Sequence, residues 1–467
     1  MRVMATMRLQ TVDQWLGWLE TLHPKAIDLG LQRVAAVAGQ MDVMQFDACV
    51  ITVAGTNGKG STVAALQALL SEPRTRAAQA ARIGTYTSPH LQRFNERIQI
   101  AGQPVDDNTL CAAFARVDRA RLAVADDSSD APALTYFEFT TLAALSIFQH
   151  ANLDYIVLEV GLGGRLDAVN VVDTDLAIIT SIALDHQQWL GSTRDAIALE
   201  KAGILRSAAP AIIGDSDPPK SLQQFVRQHA VSAVWAAPAP GSATLAPAHG
   251  FIATGETLQW CGCDHAGGAV LLDELPPPRL AAANWSCALQ AVSCLDALPP
   301  ASAVARLMRS TGLPGRRSWH EFKGRRCLFD VAHNPAAIHS LADELRAIRS
   351  AADAGKITLV FAALADKEVQ AMLALLLDCV DQWIFAQLAQ CPRAMEAVKM
   401  RELLQQLLRN RAAGQPGIAE APSVATAMQM AQASCSARDT IVVCGSFYTV
   451  GEALDVLASP GQAPAGE

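Results

Sequence analysis

The chain has 467 residues, 51% of them hydrophobic and 18% charged, which excludes wholesale disorder and supplies sizeable cores. Lys and Arg number 37 against 45 Asp and Glu, a net charge of −8, so the surface is not built for nucleic acid or an anionic membrane, although a local basic pocket could still hold phosphates. No apolar run reaches the roughly 18 residues of a membrane span, the N-terminal stretch lacks a signal core, and the 11 cysteines have no framework spacing, so a reduced, soluble, cytoplasmic protein is expected.

Residues 11–46 read as two amphipathic helical stretches, with Trp15, Trp18 and Leu19 on one face and a second stretch over 29–43. An apolar, β-branched run at 48–53 then predicts a buried parallel strand, followed by a turn at 54–61 and a helix over 62–70. Further strands are expected at 155–160, 176–182, 211–213, 327–331, 357–362, 382–386 and 440–444. Helices are expected at 137–150, 194–204, 336–350, 368–377 and 395–410. Such alternation predicts α/β architecture with two doubly wound domains. Pro and Gly at 312–316 place the boundary near residue 312, giving a larger domain over 1–312 and a smaller, Rossmann-like one over 313–467. The Pro-, Ala- and Gly-rich stretch 236–250 reads as a surface excursion or irregular strand region.

The strongest local signal is Gly55-Thr56-Asn57-Gly58-Lys59-Gly60-Ser61 between strand and helix. A glycine-rich turn there exposes successive N–H groups at a helix N-terminus, Lys59 adds a point charge for β- and γ-phosphates, and a hydroxyl can reach Mg²⁺. The strict phosphate-loop pattern fails at both ends, since no glycine stands five residues before Gly58 and Gly60 intrudes before Ser61. Glu159 closes a strand at the edge where parallel sheets bind ligands, and reads either as a Mg²⁺ ligand or as an ion-pair partner of Arg165. Asp185-His186 follows the next strand in the same position, as a ligand or as an ordinary structural pair. Lys201, by spacing alone, is a solvated cation at a helix end. Ser88-Pro89-His90 and Asn95-Glu96-Arg97 suit a functional loop. In the second half, Asp330–Pro335 and Gly445-Ser446-Phe447 end strands and start helices, with Asn334 before Pro335 equally readable as a plain N-cap. Cys261, Cys263 and His265 lack the second matching pair that a metal site needs.

Taken together, GTNGKGS at 55–61, TSPHL at 87–91, LEVGLGGRLDAVN at 158–170, TSIALDH at 180–186, EKAGI at 200–204, LPGR at 313–316, DVAHNP at 330–335 and VCGSFYTV at 443–450 resemble the folylpolyglutamate synthase family of Mur-type amide ligases. IDLGLQRV at 27–34 and LTYFEF at 134–139 are similar to its bacterial bifunctional branch, which is also dihydrofolate synthase. The resemblance runs from about residue 15 to 453 and implies a P-loop, ATP- and pterin-binding N-terminal domain and a Mur-ligase-type C-terminal one.

The resemblance implies ATP-dependent addition of L-glutamate to dihydropteroate and to reduced folates through an acyl phosphate, with ADP and phosphate released. A folylpolyglutamate synthase without the first activity is the alternative. It assigns Gly58, Lys59, Gly60 and Ser61 to ATP phosphates, and Asn284, Arg316 and Asp330 to the nucleotide. Ser88, Glu159 and His186 become Mg²⁺ ligands, and Lys201 an N6-carboxylated lysine at a second Mg²⁺, with K⁺ a further candidate ion. Asp28, Leu29, Gly30 and Leu31, then Thr135, Tyr136, Phe137 and Glu138, then Leu166, Asp167 and Ala168 form its pterin-binding segments. Lys59, Lys201, His186 and His333 are its catalytic candidates, with His333 and Ser446 near the incoming glutamate. A monomer acting on small molecules is implied. The chain departs from the family at Leu364-Ala365-Asp366-Lys367, where a His often precedes Asp-Lys, and at Gln187-Gln188, where a Thr is common. Residues 232–270 resemble nothing identifiable, and 73–82 look like an extra loop. A cell-wall Mur ligase fits less well because of Gly60. An ATP-dependent switch or a phosphotransferase leaves Arg316, Asp330 and His333 without a purpose.

Overall fold

The protein is described by a computed structural model over residues 9–73, 79–125, 131–237, 247–351, 354–409 and 416–458. It divides into two compact units, Met1–His90 with Phe94–Thr311, and Leu91–Arg93 with Gly312–Glu467. Among the described residues no helix is long and apolar enough to cross a membrane.

The first unit holds an 11-stranded sheet. Its strands are β1 (Cys49–Ala54), β2 (Ile83–Tyr86), β3 (Ile98–Ile100), β4 (Gln103–Pro104), β5 (Tyr155–Glu159) and β6 (Leu176–Ile179), then β7 (Ala211–Ile213), β8 (Ala233–Ala236), β9 (Ala248–Thr254), β10 (Thr257–Cys263) and β11 (Ala269–Leu275). They lie in the order β11-β10-β9-β8-β7-β6-β1-β5-β2-β3-β4. The run from β9 to β2 is parallel, and both ends continue antiparallel. Strands buried on both faces read as continuous apolar runs, which is why β1, β5, β6 and β7 announce themselves in the sequence. β1 lies between β5 and β6, so the chain reverses its direction of travel across the sheet there, and the crevice at the carboxyl end of β1 is where such sheets place ligands.

Several elements differ from the sequence expectation. The strand expected to reach 182 ends at Ile179, because the backbone of Thr180 and Ser181 turns to bind the loop after β1. The helix expected from 62 begins at Lys59 and runs to Ser71. The excursion expected over 236–250 is flanked by β8 and β9, while 238–246, like 74–78 of the extra loop, lie outside the described residues.

The second unit holds a six-stranded sheet of β12 (Ser318–Phe322), β13 (Arg325–Phe329), β14 (Ile357–Phe361), β15 (Gln382–Ala386), β16 (Gly417–Ala421) and β17 (Thr440–Cys444). The order is β12-β13-β17-β14-β15-β16, with only the β12–β13 hairpin antiparallel. Each unit has its own apolar core, with Leu142, Leu158 and Ile179 among those fully buried in the first and Leu345, Leu359 and Val442 in the second.

Candidate active site

The loop after β1 is bonded to the loop after β6 at every turn. Thr56 N–H donates to Ser181 O at 2.8 Å, and the Asn57 carbonyl accepts from Thr180 Oγ1 at 2.7 Å and Ser181 Oγ at 3.0 Å. Thr56 Oγ1 donates to Ala183 O and accepts from Ala183 N. Gly55 has no room for a side chain, since a Cβ would fall 1.8 Å from Thr180 Oγ1. Gly58 has φ +89°, and a Cβ there would sit 2.3 Å from Asn284 Oδ1, so the helix Ala282–Cys294 brings Asn284 against the loop. Helix Lys59–Ser71 therefore starts on a left-handed glycine cap with no side-chain cap hydrogen bond, a turn suited to cradle phosphate. Lys59 Nζ curls back onto Gly55 O at 3.1 Å and Thr56 O at 3.3 Å, close beside that cradle.

Around this loop stand the other strand ends. Glu159 is 4% exposed, pairs in register with Val53 of β1, and its Oε2 accepts the Ser88 N–H at 3.1 Å. Arg165 is engaged elsewhere, with Nη2 2.8 Å from Glu200 Oε1, so the ion pair considered for Glu159 is not formed with it. His186 adopts φ +50° and takes a backbone bond to Asp185 Oδ1 at 2.8 Å, a strained position that turns up more often at functional sites than in plain turns. The loop 161–167 packs on helix Arg194–Ala202, with Arg165 N–H donating to Glu200 O, and Gly164 and Gly203 too crowded for a Cβ. Asp167 then caps the short turn Ala168–Val171, its carboxylate accepting from Leu162 N at 2.8 Å and Val169 N at 3.1 Å. Burial pushes the Asp167 carboxyl up to about 7 against those bonds.

Lys201 is 3% exposed rather than solvated. Burial, and then the charge of Lys59, bring its ammonium down to about 7, opposed by Asp185 and Asp167. That one lysine thus feels groups from the phosphate loop, from the Asp185-His186 loop and from the 161–167 loop.

Ser88, Glu159 and His186 offer a hydroxyl, a carboxylate and an imidazole. Among the described residues no three His, Cys, Asp or Glu side chains gather closely enough to hold a metal by themselves. A nucleotide-bound Mg²⁺ takes few protein ligands and completes its shell with phosphate oxygens and water, so a sparse set beside a phosphate cradle fits that ion. Cys261, Cys263 and His265 form no such group: Cys263 Sγ accepts from Gln290 Nε2, and His265 pairs with Asp296.

The segments 28–31 and 135–138 belong to the first unit. Thr135 and Glu138 form a capping box on helix Tyr136–Gln149, so the Glu138 carboxylate serves the fold. Leu29, Gly30 and Leu31 are half-buried. Sequence reasoning missed Arg33, whose guanidinium joins these two segments; pairing across 105 residues leaves no local signal.

In the second unit, Asp330 caps the end of β13 by accepting from Arg317 N at 3.0 Å and Ala332 N at 2.8 Å. Burial raises its carboxyl while the charge of Arg316 opposes. The Arg316 guanidinium lies 4.9 Å from the Phe447 ring, and the His333 ring 5.6 Å from the same phenyl. His333 Nδ1 faces Val331 O at 2.8 Å, which places the proton on Nδ1. Asn334 is the plain N-cap of helix Pro335–Arg349. Ser446 Oγ is turned inward, accepting from Thr449 N and lying 2.6 Å from Thr449 Oγ1.

Residues 53–245 match the Mur ligase middle domain and 315–447 the Mur ligase glutamate ligase domain. The chain is 38% identical over 443 residues to the dihydrofolate synthase/folylpolyglutamate synthase of Escherichia coli, covering 95% of this chain and 94% of that protein. To the protein of the same name from Haemophilus influenzae it is 35% identical over 459 residues, covering 94% and 96%. Among solved structures, E. coli FolC in complex with DHPP and ADP matches with a TM-score of 0.83 and 36% identity over 97% of this chain and 98% of that one. The Yersinia pestis bifunctional folylpolyglutamate synthase/dihydrofolate synthase complexed with AMPPNP and Mn ion matches at 0.80 and 34% over 97% and 99%. With both domains and nearly the full length matched, the chain belongs to the Mur ligase family, in its dihydrofolate synthase/folylpolyglutamate synthase branch.

Proposed function

We propose that this chain is an ATP-dependent acid–amino-acid ligase that adds L-glutamate to dihydropteroate, giving dihydrofolate, and to reduced folates, giving polyglutamates. The observation that carries the reading is the buried Lys201, on which the phosphate loop, the Asp185-His186 loop and the Asp167 loop all act.

The reaction joins two anions before it joins an amine. A carboxylate oxygen of the pterin substrate attacks the γ-phosphorus of ATP, ADP leaves, and an acyl phosphate remains. The amine of L-glutamate then adds to the acyl carbon, and the tetrahedral species expels phosphate. Backbone N–H groups of Gly58–Ser61 hold the β- and γ-phosphates, and Lys59 leaves its carbonyl contacts to offset their charge. Asn284, Arg316 and Asp330 hold the rest of the nucleotide. Ser88, Glu159 and His186 would hold Mg²⁺, whose chemistry here is neutralisation of phosphate charge. Asp28–Leu31, Thr135–Glu138 and Leu166–Ala168 line the pterin site, and His333 and Ser446 lie on the glutamate side. In this reading residues 1–312 carry ATP and pterin and 313–467 complete the ligase.

Lys201 is N6-carboxylated in this proposal. Its burial beside Lys59 disfavours a second ammonium, and a carbamate formed from CO₂ would reverse the charge and serve a second Mg²⁺, with K⁺ a further candidate ion. A carbamate carbon signal after ¹³C-bicarbonate labelling, absent in Lys201→Arg, is the expected result. The chain acts as a monomer.

The test of function is ADP release by purified protein with Mg²⁺ and ATP, comparing dihydropteroate with tetrahydrofolate, each with and without L-glutamate, with products identified by mass. Glutamate-dependent product from both acceptors is expected. Product from tetrahydrofolate alone would reduce the reading to a folylpolyglutamate synthase, and none from either would overturn it.

A further inference from the structure

Arg33 lies in the first turn of helix Gln32–Met41. Its Nη1 donates to Asp28 Oδ2 at 2.7 Å and its Nη2 to the Asp28 carbonyl. On the other side Nε donates to Glu138 Oε2 at 2.9 Å, and Nη2 stands 2.8 Å from Glu138 Oε1. Glu138 is itself fixed, 4% exposed and holding Thr135 N–H at 2.7 Å in the capping box of helix Tyr136–Gln149. One planar guanidinium therefore grips a loop with one edge and a rigid helix end with the other, the bidentate geometry in which Lys cannot replace Arg.

Besides Arg33, the 28–31 loop is tied through the Asp28 carboxylate to the more distant His23 Nε2 at 3.6 Å and Lys25 Nζ at 3.4 Å. Among the described residues neither Leu29 nor Leu31 joins the core cluster or packs against it, and helix Gln32–Met41 starts on Leu31 with no side-chain cap. Its neighbour Lys25 is exposed and, among the described residues, bonded to Asp28 and His23. The loop's position thus depends on Arg33 far more than the stability of the unit does.

We infer that Arg33 is a positioning residue, holding the 28–31 loop against the N-terminus of helix Tyr136–Gln149 so that the two segments together receive the pterin. The inference rests on the ligase reading above. Arg33 need not touch the substrate; it fixes the distance between two surfaces that do.

The experiment compares wild type with Arg33→Gln, Arg33→Lys and Asp28→Asn, the last weakening the side-chain ion pair on the loop side while leaving the Asp28 carbonyl bond and the Glu138 pair in place. Steady-state ADP release gives KM for dihydropteroate, ATP and L-glutamate, and trypsin cleavage after Lys25 reports the loop itself. For Arg33→Gln we expect KM for dihydropteroate to rise roughly tenfold with KM for ATP and L-glutamate within about twofold, the pattern of lost binding at one substrate only. Lys25 cleavage should quicken in parallel, Asp28→Asn should reproduce most of both effects, and Arg33→Lys should restore only part. The inference is overturned if folded Arg33→Gln keeps the wild-type KM for dihydropteroate, or if all three KM values rise together. Should wild type make no glutamylated product, the ligase reading fails first, a result distinct from either.

Discussion

Gly58 carries two demands at once, a left-handed backbone at φ +89° and bare contact with Asn284. A methyl group would meet both the conformational penalty and the Oδ1 of Asn284, so Gly58→Ala should cost about 1–3 kcal/mol of stability and raise KM for ATP. Denaturant unfolding alongside ATP kinetics checks it, and a variant with unchanged ATP affinity would remove Gly58 from the cradle. Lys201 makes the opposite kind of prediction. Its ammonium is buried, so Lys201→Met should leave the fold at least as stable while ligation drops by roughly a hundredfold or more. The sign with pH follows from the depressed value: stability from the neutral amine is full above the ordinary lysine range near 10.5 and is lost as pH falls through about 7. Lys201→Met should therefore lose less stability than wild type as pH falls from about 10.5 to about 7, measured by urea unfolding across that range. Retained ligation in that variant would end its proposed role. At this scale the glycine turn at 55–61, Glu159 and Asp185-His186 stood out in sequence because each lies in a short run beside a strand end, whereas Lys201 drew attention only through the family resemblance. The burial of Lys201 was not visible there, since it is set by the loop 161–167 folding over its helix.

Elements were legible in proportion to how completely they are buried. β5 and β14 are continuous apolar runs that the structure places within a residue of the pattern, while β6 starts where expected and stops three residues early at Ile179. The three antiparallel strands β9 to β11 were not read, because their burial alternates irregularly and a bulge interrupts the pairing between Leu258 and Trp260. Helix Asp107–Val124 escaped for a similar reason, with Asp118 and Arg121 buried as an ion pair where apolar side chains would mark a face. The β9 strand is tied back to helix Ala282–Cys294 by His249, whose Nδ1 lies 2.7 Å from Ser286 Oγ, which also accepts the indole N–H of Trp260 at 3.1 Å. Burial brings the His249 imidazole down to about 4 from an ordinary 6.5. A neutral imidazole that resists protonation contributes stability present above the unfolded value and lost as pH falls through about 4. Wild type should thus lose about 3 kcal/mol from this residue between pH 6.5 and pH 4, a slope missing from His249→Gln. Urea unfolding at both ends of the range decides it, and parallel pH dependence in the two proteins would mean that β9 opens before the ring is protonated.

At the scale of the whole chain the question is whether its second unit is a domain in its own right. Residues 312–458 contain a six-stranded sheet with its own buried core, from Phe329 and Leu345 through Trp383 to Val443. Their number lies in the range of about 100–150 residues where single domains commonly fold alone. One piece comes from far away in sequence: Leu91 lies against Gly315 and Gly451, neither of which has room for a Cβ beside its neighbours, and Gln92 Nε2 donates to Asp455 Oδ1 at 2.7 Å. A fragment of 312–458 should therefore unfold in one cooperative step, at a lower denaturant concentration than the same fragment carrying residues 89–94 through a short flexible linker. The difference should be about 1–2 kcal/mol, the size of one half-buried apolar side chain and one exposed side-chain hydrogen bond. Neither fragment should turn over ATP, because the phosphate loop and its helix belong to the first unit. A fragment without a cooperative transition would show that the sheet and its core are insufficient, and that the proposed boundary near residue 312 separates two halves of one folding unit.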